Sequence, residues 1–191
     1  MVADVQTAGR GRLGRRWEAP PGTALLASFV LPVHPLAVFA AGVAAAEACG
    51  HSVTLKWPND LLLGDRKLGG VLADARRGRV VAGIGVNLSW APPGAARLEV
   101  DREALLDLLL NGLDRWFATP PEGVLERWRA LSSTLGRRVR AELPGGVVEG
   151  IATDVDPDGA LLVDGARIAA GDVIHLRPVR PGAGAARRTG P

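Results

Sequence analysis

Cysteine is almost missing from this chain. Cys49 stands alone among 191 residues, so an internal disulfide is excluded and a reducing, cytoplasmic setting is expected. Long apolar runs are missing too. The most apolar region, residues 23–50, is broken by Pro32, His34 and Pro35, and its longest clean run is Leu36 to Ala46, too short to span a bilayer. No leader opens the chain, since Asp4, Gln6 and Arg10 arrive at once. A soluble protein with no membrane partner is the expectation. Excess charge of one sign is also scarce: the formal net charge is only +3, which gives little support to a nucleic-acid partner and mild support to small anionic substrates.

Lysine is scarce, and its placement is informative. Lys56 and Lys67 are the only two, while arginine carries every other fixed positive charge. Both lie in short segments that read as site, Lys56-Trp57-Pro58-Asn59-Asp60 and Arg66-Lys67-Leu68-Gly69-Gly70. A lysine is a compact charge on a slim stem and reaches into small pockets where the planar arginine fork does not fit. The chain is long enough for one substantial core with a small appended module.

The spacing of apolar residues sets out that organisation. Residues 2–5 form a short extended fragment, residues 23–31 a buried strand ended by Pro32, and residues 36–49 a helix closed by Gly50. Strands follow at 53–57, 61–63, 67–75 and 80–87, with turns at Gly64-Asp65 and around Arg76-Arg77-Gly78-Arg79. Asp101 caps a helix whose Leu105, Leu106, Leu108, Leu109, Leu113, Trp116 and Phe117 recur at helical spacing. A second helix runs from Glu122 to about Leu131 with Val124, Leu125, Trp128 and Leu131 inward. After Gly136 the pattern turns to alternation at 139–143, 147–155, 161–163 and 173–176, the mark of a small β-barrel. Residues 181–191 have almost no apolar bulk and are expected to be disordered.

Gly9 to Gly14 satisfies G-x-G-x-x-G in letter, but a dinucleotide fingerprint needs a following helix, and here Pro20-Pro21 intervenes. No Gly-Lys-Ser/Thr of a Walker A loop occurs. What remains is a loop rich in guanidinium groups, whose glycines let backbone approach a ligand and whose arginines bind phosphate or carboxylate. Trp17 can stack on a base. A solvated charged loop or nonspecific nucleic-acid arm is the competing reading. At Lys56–Asp60, Pro58 keeps Trp57 out of helical geometry, so Asn59 and Asp60 sit in a turn at the mouth of a sheet; a plain turn closing a hairpin is the alternative. Gly69-Gly70 and the alternating Gly83 and Gly85 clear space for a flat ligand on a strand, and Asn87 supplies a polar tip.

Gln6-Thr7-Ala8-Gly9-Arg10-Gly11-Arg12, Lys56 to Asp60, Arg66 to Gly70 and Gly83-Ile84-Gly85-Val86-Asn87, in this order, resemble the catalytic domain of biotin–protein ligases. The similarity extends to the C-terminal β-segment, which resembles that family's SH3-like domain. The resemblance implies an α+β fold of the class II synthetase-like biotin/lipoate ligase type. It has a mixed, largely antiparallel sheet packed against helices, with a C-terminal SH3-like β-barrel. The domains are a catalytic part over 1–134, an SH3-like part over 135–178 and a tail over 179–191. The family's catalytic domain usually begins earlier, with a strand bearing a Ser/Thr-Thr-Asn motif for the biotin ring, so the expectation is a domain lacking its N-terminal start, with an exposed sheet edge.

The implied activity is ATP-dependent ligation. The biotin carboxylate attacks the α-phosphate of Mg-ATP to give biotinyl-5′-AMP and pyrophosphate, and a lysine of a biotin carboxyl carrier protein domain then attacks the mixed anhydride. By the resemblance, Gln6, Arg10, Gly11, Arg12, Lys67, Gly69 and Gly70 contact biotin, and Arg12, Trp17, Lys56, Asn59 and Asn87 serve the nucleotide. Lys67, Arg10 and Asp60 are the catalytic candidates. Lys67 would bridge carboxylate and α-phosphate where negative charge builds, Arg10 and Arg12 would close the loop over the anhydride, Trp17 would cover adenine, and Asp60 would orient or deprotonate the incoming amine. Asn87 would bind the nucleotide or its metal. The implied small molecules are ATP, Mg2+ and biotin, with no metal held by the protein alone; a homodimer is compatible with the sequence, which does not fix the oligomeric state. A lipoate–protein ligase, or a catalytically impaired remnant binding nucleotide or acceptor protein, are the alternatives.

Three further patterns carry no chemistry. Asp154 to Gly159 imitates the start of an EF-hand loop, yet Gly165 stands where a bidentate glutamate is needed. His34, His51 and His175 lack metal-ligand spacing. Arg187-Arg188 reads as a solvated end.

Overall fold

A computed structural model describes residues 1–143 and 145–176. The chain forms β1 (Val2–Ala3), a 3-10 turn at Arg12–Gly14, β2 (Ala24–Leu31), α1 (Ala37–Cys49), β3 (Val53–Lys56), β4 (Asp60–Leu63), β5 (Arg66–Arg76) and β6 (Arg79–Asn87). Then come α2 (Arg102–Ala118), α3 (Pro121–Leu131), β7 (Arg138–Leu143), β8 (Gly146–Val155), β9 (Leu161–Val163), β10 (Ala166–Ile168) and β11 (Asp172–His175). The first sheet has order β1-β2-β6-β5-β4-β3 and the second β10-β9-β8-β7-β11. Among the described residues every ladder is antiparallel, and parallel pairing is confined to the isolated bridge between Leu55 and Ser132. The α+β architecture expected from the sequence is the one found.

Period-two alternation gives the large sheet two unlike faces. Leu25, Ala27, Val71, Ala82, Ile84 and Val86 point into a core covered by α1. That helix is buried along nearly its whole length because its face is alanine. Small side chains let α2 approach so closely that a Cβ at Gly112 would meet Ala44 at 3.3 Å. Asp101 caps α2 as the sequence predicts, its Oδ1 accepting the Ala104 amide at 2.8 Å. Leu108, however, is 57% exposed and Leu106 only half-buried: three adjacent leucines cannot all face one stripe of a helix.

The small sheet adds β10, a strand that the sequence pattern does not reveal because only Ala166, Arg167 and Ile168 carry it. Its interior, with Val139, Val155, Leu161 and Ile168, belongs to the same continuous apolar cluster as the helices. Trp57 fastens the two sheets. Its ring is buried, Nε1 donates to Gly159 O at 2.9 Å, and its amide donates to Thr134 Oγ1 at 3.0 Å. At the far edge, β1 pairs with only Ala27 and Leu26 of β2, and Val30 beyond it is 72% exposed. Among the described residues no helix is long and apolar enough to cross a membrane. The expected disorder at 181–191 and the Arg187-Arg188 pair lie outside the described residues.

Candidate active site

The second face of the large sheet carries a trough of about 290 Å3. Alternation puts Leu26, Ser28, Gly70, Leu72, Gly83 and Gly85 on that face. Where three of these positions lack a side chain the floor sinks, so the glycine spacing expected to clear a strand surface does so at Gly70, Gly83 and Gly85. Gly69 is different. It faces the core side beside Val86, and a Cβ there would run into the carbonyl of Gly85. It serves strand packing and does not line the trough.

A β-bulge sets the key cation. The register between β4 and β5 shifts after Leu61, which pairs with Gly69 while Leu62 pairs with Lys67, leaving Leu68 as the extra residue. Under strict alternation through Leu68, with no bulge, Lys67 would share a face with Gly69. With it, Lys67 stands on the trough side with Gly70 and Asp60, and its Nζ donates to Asp60 Oδ1 at 2.6 Å. Asp60 in turn opposes Lys56 across the β3–β4 hairpin. Burial, first of all, pushes the Lys56 ammonium below its ordinary pKa; Asp60 opposes that fall while Lys67 and Arg15 add to it.

The loop from Gly9 to Trp17 folds over one end. Its stem is closed by Trp17 N to Gly9 O at 3.1 Å and by a bridge between Arg10 and Arg16; Gly11 N donates to Arg15 O at 2.6 Å. Gly9 must be glycine, because a Cβ there would collide with the Trp17 carbonyl. At the tip, Arg12 Nη1 reaches Asp172 Oδ1 at 3.4 Å, Arg12 Nη2 donates to Gly171 O at 3.1 Å, and Arg15 also pairs with Asp172. Burial lowers the Arg12 pKa, Asp60 works against this, and Arg15 adds to it.

Of the residues singled out from sequence, Gln6, Arg10, Gly11, Arg12, Trp17, Lys56, Asn59, Asp60, Lys67 and Gly70 all line the trough. Asn59 also binds the neighbouring strand, Nδ2 donating to Val71 O at 2.8 Å. Trp17 lies against the floor, where a Cβ on Gly85 would meet its indole at 2.9 Å, with Lys67 Nζ 5.8 Å from its ring centre. It is therefore part of the trough's wall and not a cover above it. Its Nε1 is buried against Gly85 and has no hydrogen-bond partner among the described residues. Asn87 stands apart. It is 2% exposed, and its Nδ2 is committed to Ala96 O at 2.9 Å, which fastens the chain leaving β6. Nothing places it against the trough.

Sequence reading missed Arg15, Ser28 and, above all, Asp172, Val173 and Glu142, which the small sheet brings to the same trough. Arg15 sits in the arginine-rich loop already singled out, but no motif marks Asp172, separated from Arg12 by almost the whole chain. Among the described residues no three His, Cys, Asp or Glu side chains gather to hold a metal ion.

Residues 1–90 match the Biotin/lipoate A/B protein ligase family, and residues 134–176 match the Biotin protein ligase C terminal domain. The biotin–[acetyl-CoA-carboxylase] ligase of Mycobacterium tuberculosis is 38% identical over 93% of this chain and 79% of its own length. The enzyme of that name from Paracoccus denitrificans is 33% identical over 86% of this chain and 83% of its own. Among solved structures, the biotin protein ligase of Aquifex aeolicus in complex with biotin and ATP superposes with a TM-score of 0.77 at 26% identity, covering 92% of this chain and 88% of that one. Trough, loop and paired sheets thus occur in a chain whose sequence relatives share one chemistry: it belongs to the biotin–protein ligase family.

Proposed function

We propose that the protein activates biotin with ATP and transfers it to a lysine of a biotin carboxyl carrier domain. The observation that carries this reading is the placement of Lys67 beside a glycine-floored trough under an arginine-bearing loop. In the first step an oxygen of the biotin carboxylate forms a bond to the α-phosphorus as the bond to pyrophosphate breaks. Lys67 supplies a fixed charge where the carboxylate and phosphoryl oxygens crowd, and its hydrogen bond to Asp60 holds the ammonium in place. Arg12 and Arg10 offer guanidinium donors to the phosphate, and the loop shields the mixed anhydride from water.

In the second step the acceptor lysine, as the free amine, attacks the acyl carbon; the bond to AMP breaks and the amine releases a proton. Asp60 lies at the trough with one oxygen on Lys67, and its other oxygen orients the nucleophile. Lys56, Trp17 and Asn59 serve the nucleotide end. With no protein-only metal cluster among the described residues, Mg2+ arrives with the nucleotide, its phosphates supplying ligands, as is usual for this ion. Buried, unpaired Cys49 accords with work in the cytoplasm. Exchange of labelled pyrophosphate into ATP, dependent on biotin, tests the first step, and labelling of a carrier domain tests the second. Absence of exchange with folded protein overturns the proposal.

A further inference from the structure

The C-terminal sheet sends one carboxylate to the active-site loop. Asp172 opens β11 with its side chain 18% exposed, and it receives both Arg12 and Arg15 while the neighbouring Gly171 carbonyl takes a second donor of Arg12. Apart from Trp17 at its end, seated on Gly85, the loop has no comparable anchor among the described residues. Its backbone hydrogen bonds are internal, its other ion pair joins Arg16 to nearby Glu18, its 3-10 turn buries no residue, and Leu13 at the tip is 71% exposed. Arg12 and Arg15 meanwhile approach Lys56 and Lys67, a group of like charges that repel one another in a partly buried trough. A carboxylate from outside the loop, Asp172, pairs with Arg12 and Arg15 and offsets that repulsion.

We propose that Asp172 is a positioning residue for the ligase reaction: it latches the Arg10–Arg16 loop over the trough before substrate arrives. It rests on the ligase reading for its consequence, not for its geometry. Arg12 places one N–H of each terminal nitrogen on Asp172 and Gly171, which holds its guanidinium in one orientation and leaves further N–H donors for a ligand. The loop is thereby preorganised, and less ordering entropy is lost when the adenylate forms. Loss of the latch would show as freer escape of the adenylate and a higher KM for ATP.

The loop carries its own reporter, since Arg10, Arg12, Arg15 and Arg16 are trypsin sites. Cleavage of a transiently opened segment tracks its open population when closing is fast. In the ligand-free full chain, Asp172→Asn should raise loop cleavage about tenfold, as expected for removing charge-assisted contacts, and Asp172→Glu should return it to within about threefold of wild type. Cleavage after Arg138 and Arg140, on the strand that pairs with β11, is read in the same digest. Unchanged cleavage there with a faster loop supports the latch. A parallel rise at both places overturns it, because the small sheet itself has then opened, and so does a loop rate equal to wild type in Asp172→Asn. Since no substrate is present, the digest stands or falls separately from biotin activation, which is measured by pyrophosphate exchange.

Discussion

Replacing Lys67 by alanine separates chemistry from folding more cleanly than any other change at this site. The Lys67 side chain is 42% exposed and, among the described residues, its ion pair is with Asp60 alone, so solvent screens much of that pair. Such a contact is worth about 1 kcal/mol or less to stability. In a chain of this size that corresponds to a melting shift of at most about 2–4 °C. The catalytic loss is larger. A fixed donor aimed at developing charge is worth about 2.7–4 kcal/mol, or about 100- to 1000-fold in rate. Lys67→Ala should therefore lower single-turnover formation of biotinyl-AMP about 100- to 1000-fold, with the melting temperature nearly unmoved. Lys67→Arg should not rescue it, because the guanidinium is broad and planar where Gly70 and Trp17 leave a narrow channel. Asp60→Asn in the same assay gives a cycle: if Asp60 acts on this step by holding the ammonium, its effect should shrink once Lys67 is gone. Adenylate formation by Lys67→Ala within about threefold of wild type would refute the reasoning, since the effect expected from a transition-state charge is far larger.

Gly85→Ala should impair activity without unfolding the chain: the added methyl meets the Trp17 indole at 2.9 Å, so the indole must lift from the floor. Quenching of Trp17 fluorescence by acrylamide should rise, and an unchanged quenching constant would count against the wall role. Trp57→Phe keeps the bulk but strands the Gly159 carbonyl, at a cost of about 1–2 kcal/mol; denaturant titration checks it, with an unchanged midpoint as the contrary result. The fourth prediction concerns pH. Thr134 Oγ1 accepts the Trp57 amide and is in hydrogen-bond contact with His175 Nε2 at 3.1 Å. Burial, then Lys56 and Arg137, push the His175 pKa down to about 4, against a small opposing pull from Asp65. Between pH 6.5 and 4 the unfolded chain binds a proton that the folded ring refuses, so stability is full above 6.5 and falls through that window. Full linkage would give about 3 kcal/mol, and screening of the half-exposed ring reduces this to about 1 kcal/mol. Equal pH slopes for wild type and His175→Gln would contradict it.

Most of the fold could be read from the sequence because its signals are local. Gly50 after an alanine run, Asp101 before a leucine repeat and Pro32 after an apolar strand each mark a boundary by their own backbone chemistry. Alternation over residues 80–87 likewise predicted a face cleared by Gly83 and Gly85, which is the floor of the trough. Reading failed where the deciding partner is distant. Asn87 has the appearance of a free polar tip in the sequence, yet the chain returns after β6 and presents Ala96 O to its amide. Trp17 has the appearance of a cover at a loop's end, but Gly85 on another strand gives it a seat. Asp172 carried no signal, because only the docking of the small sheet brings it to Arg12.

The placement of Lys67 shows a middle case, in which the residue is legible and its direction is not. Strict alternation from Val71 back to Lys67 would turn the ammonium toward the helices, where an unpaired charge is costly. One extra residue, Leu68, changes this: it fills the core with an apolar side chain and turns Lys67 to the trough. Removal of Leu68 would restore a regular ladder with Lys67 still opposite Leu62 on the trough face, and would take a buried leucine out of the core. The bulge therefore joins folding to chemistry, since it admits Leu68 to the core while keeping Lys67 on the side of Asp60.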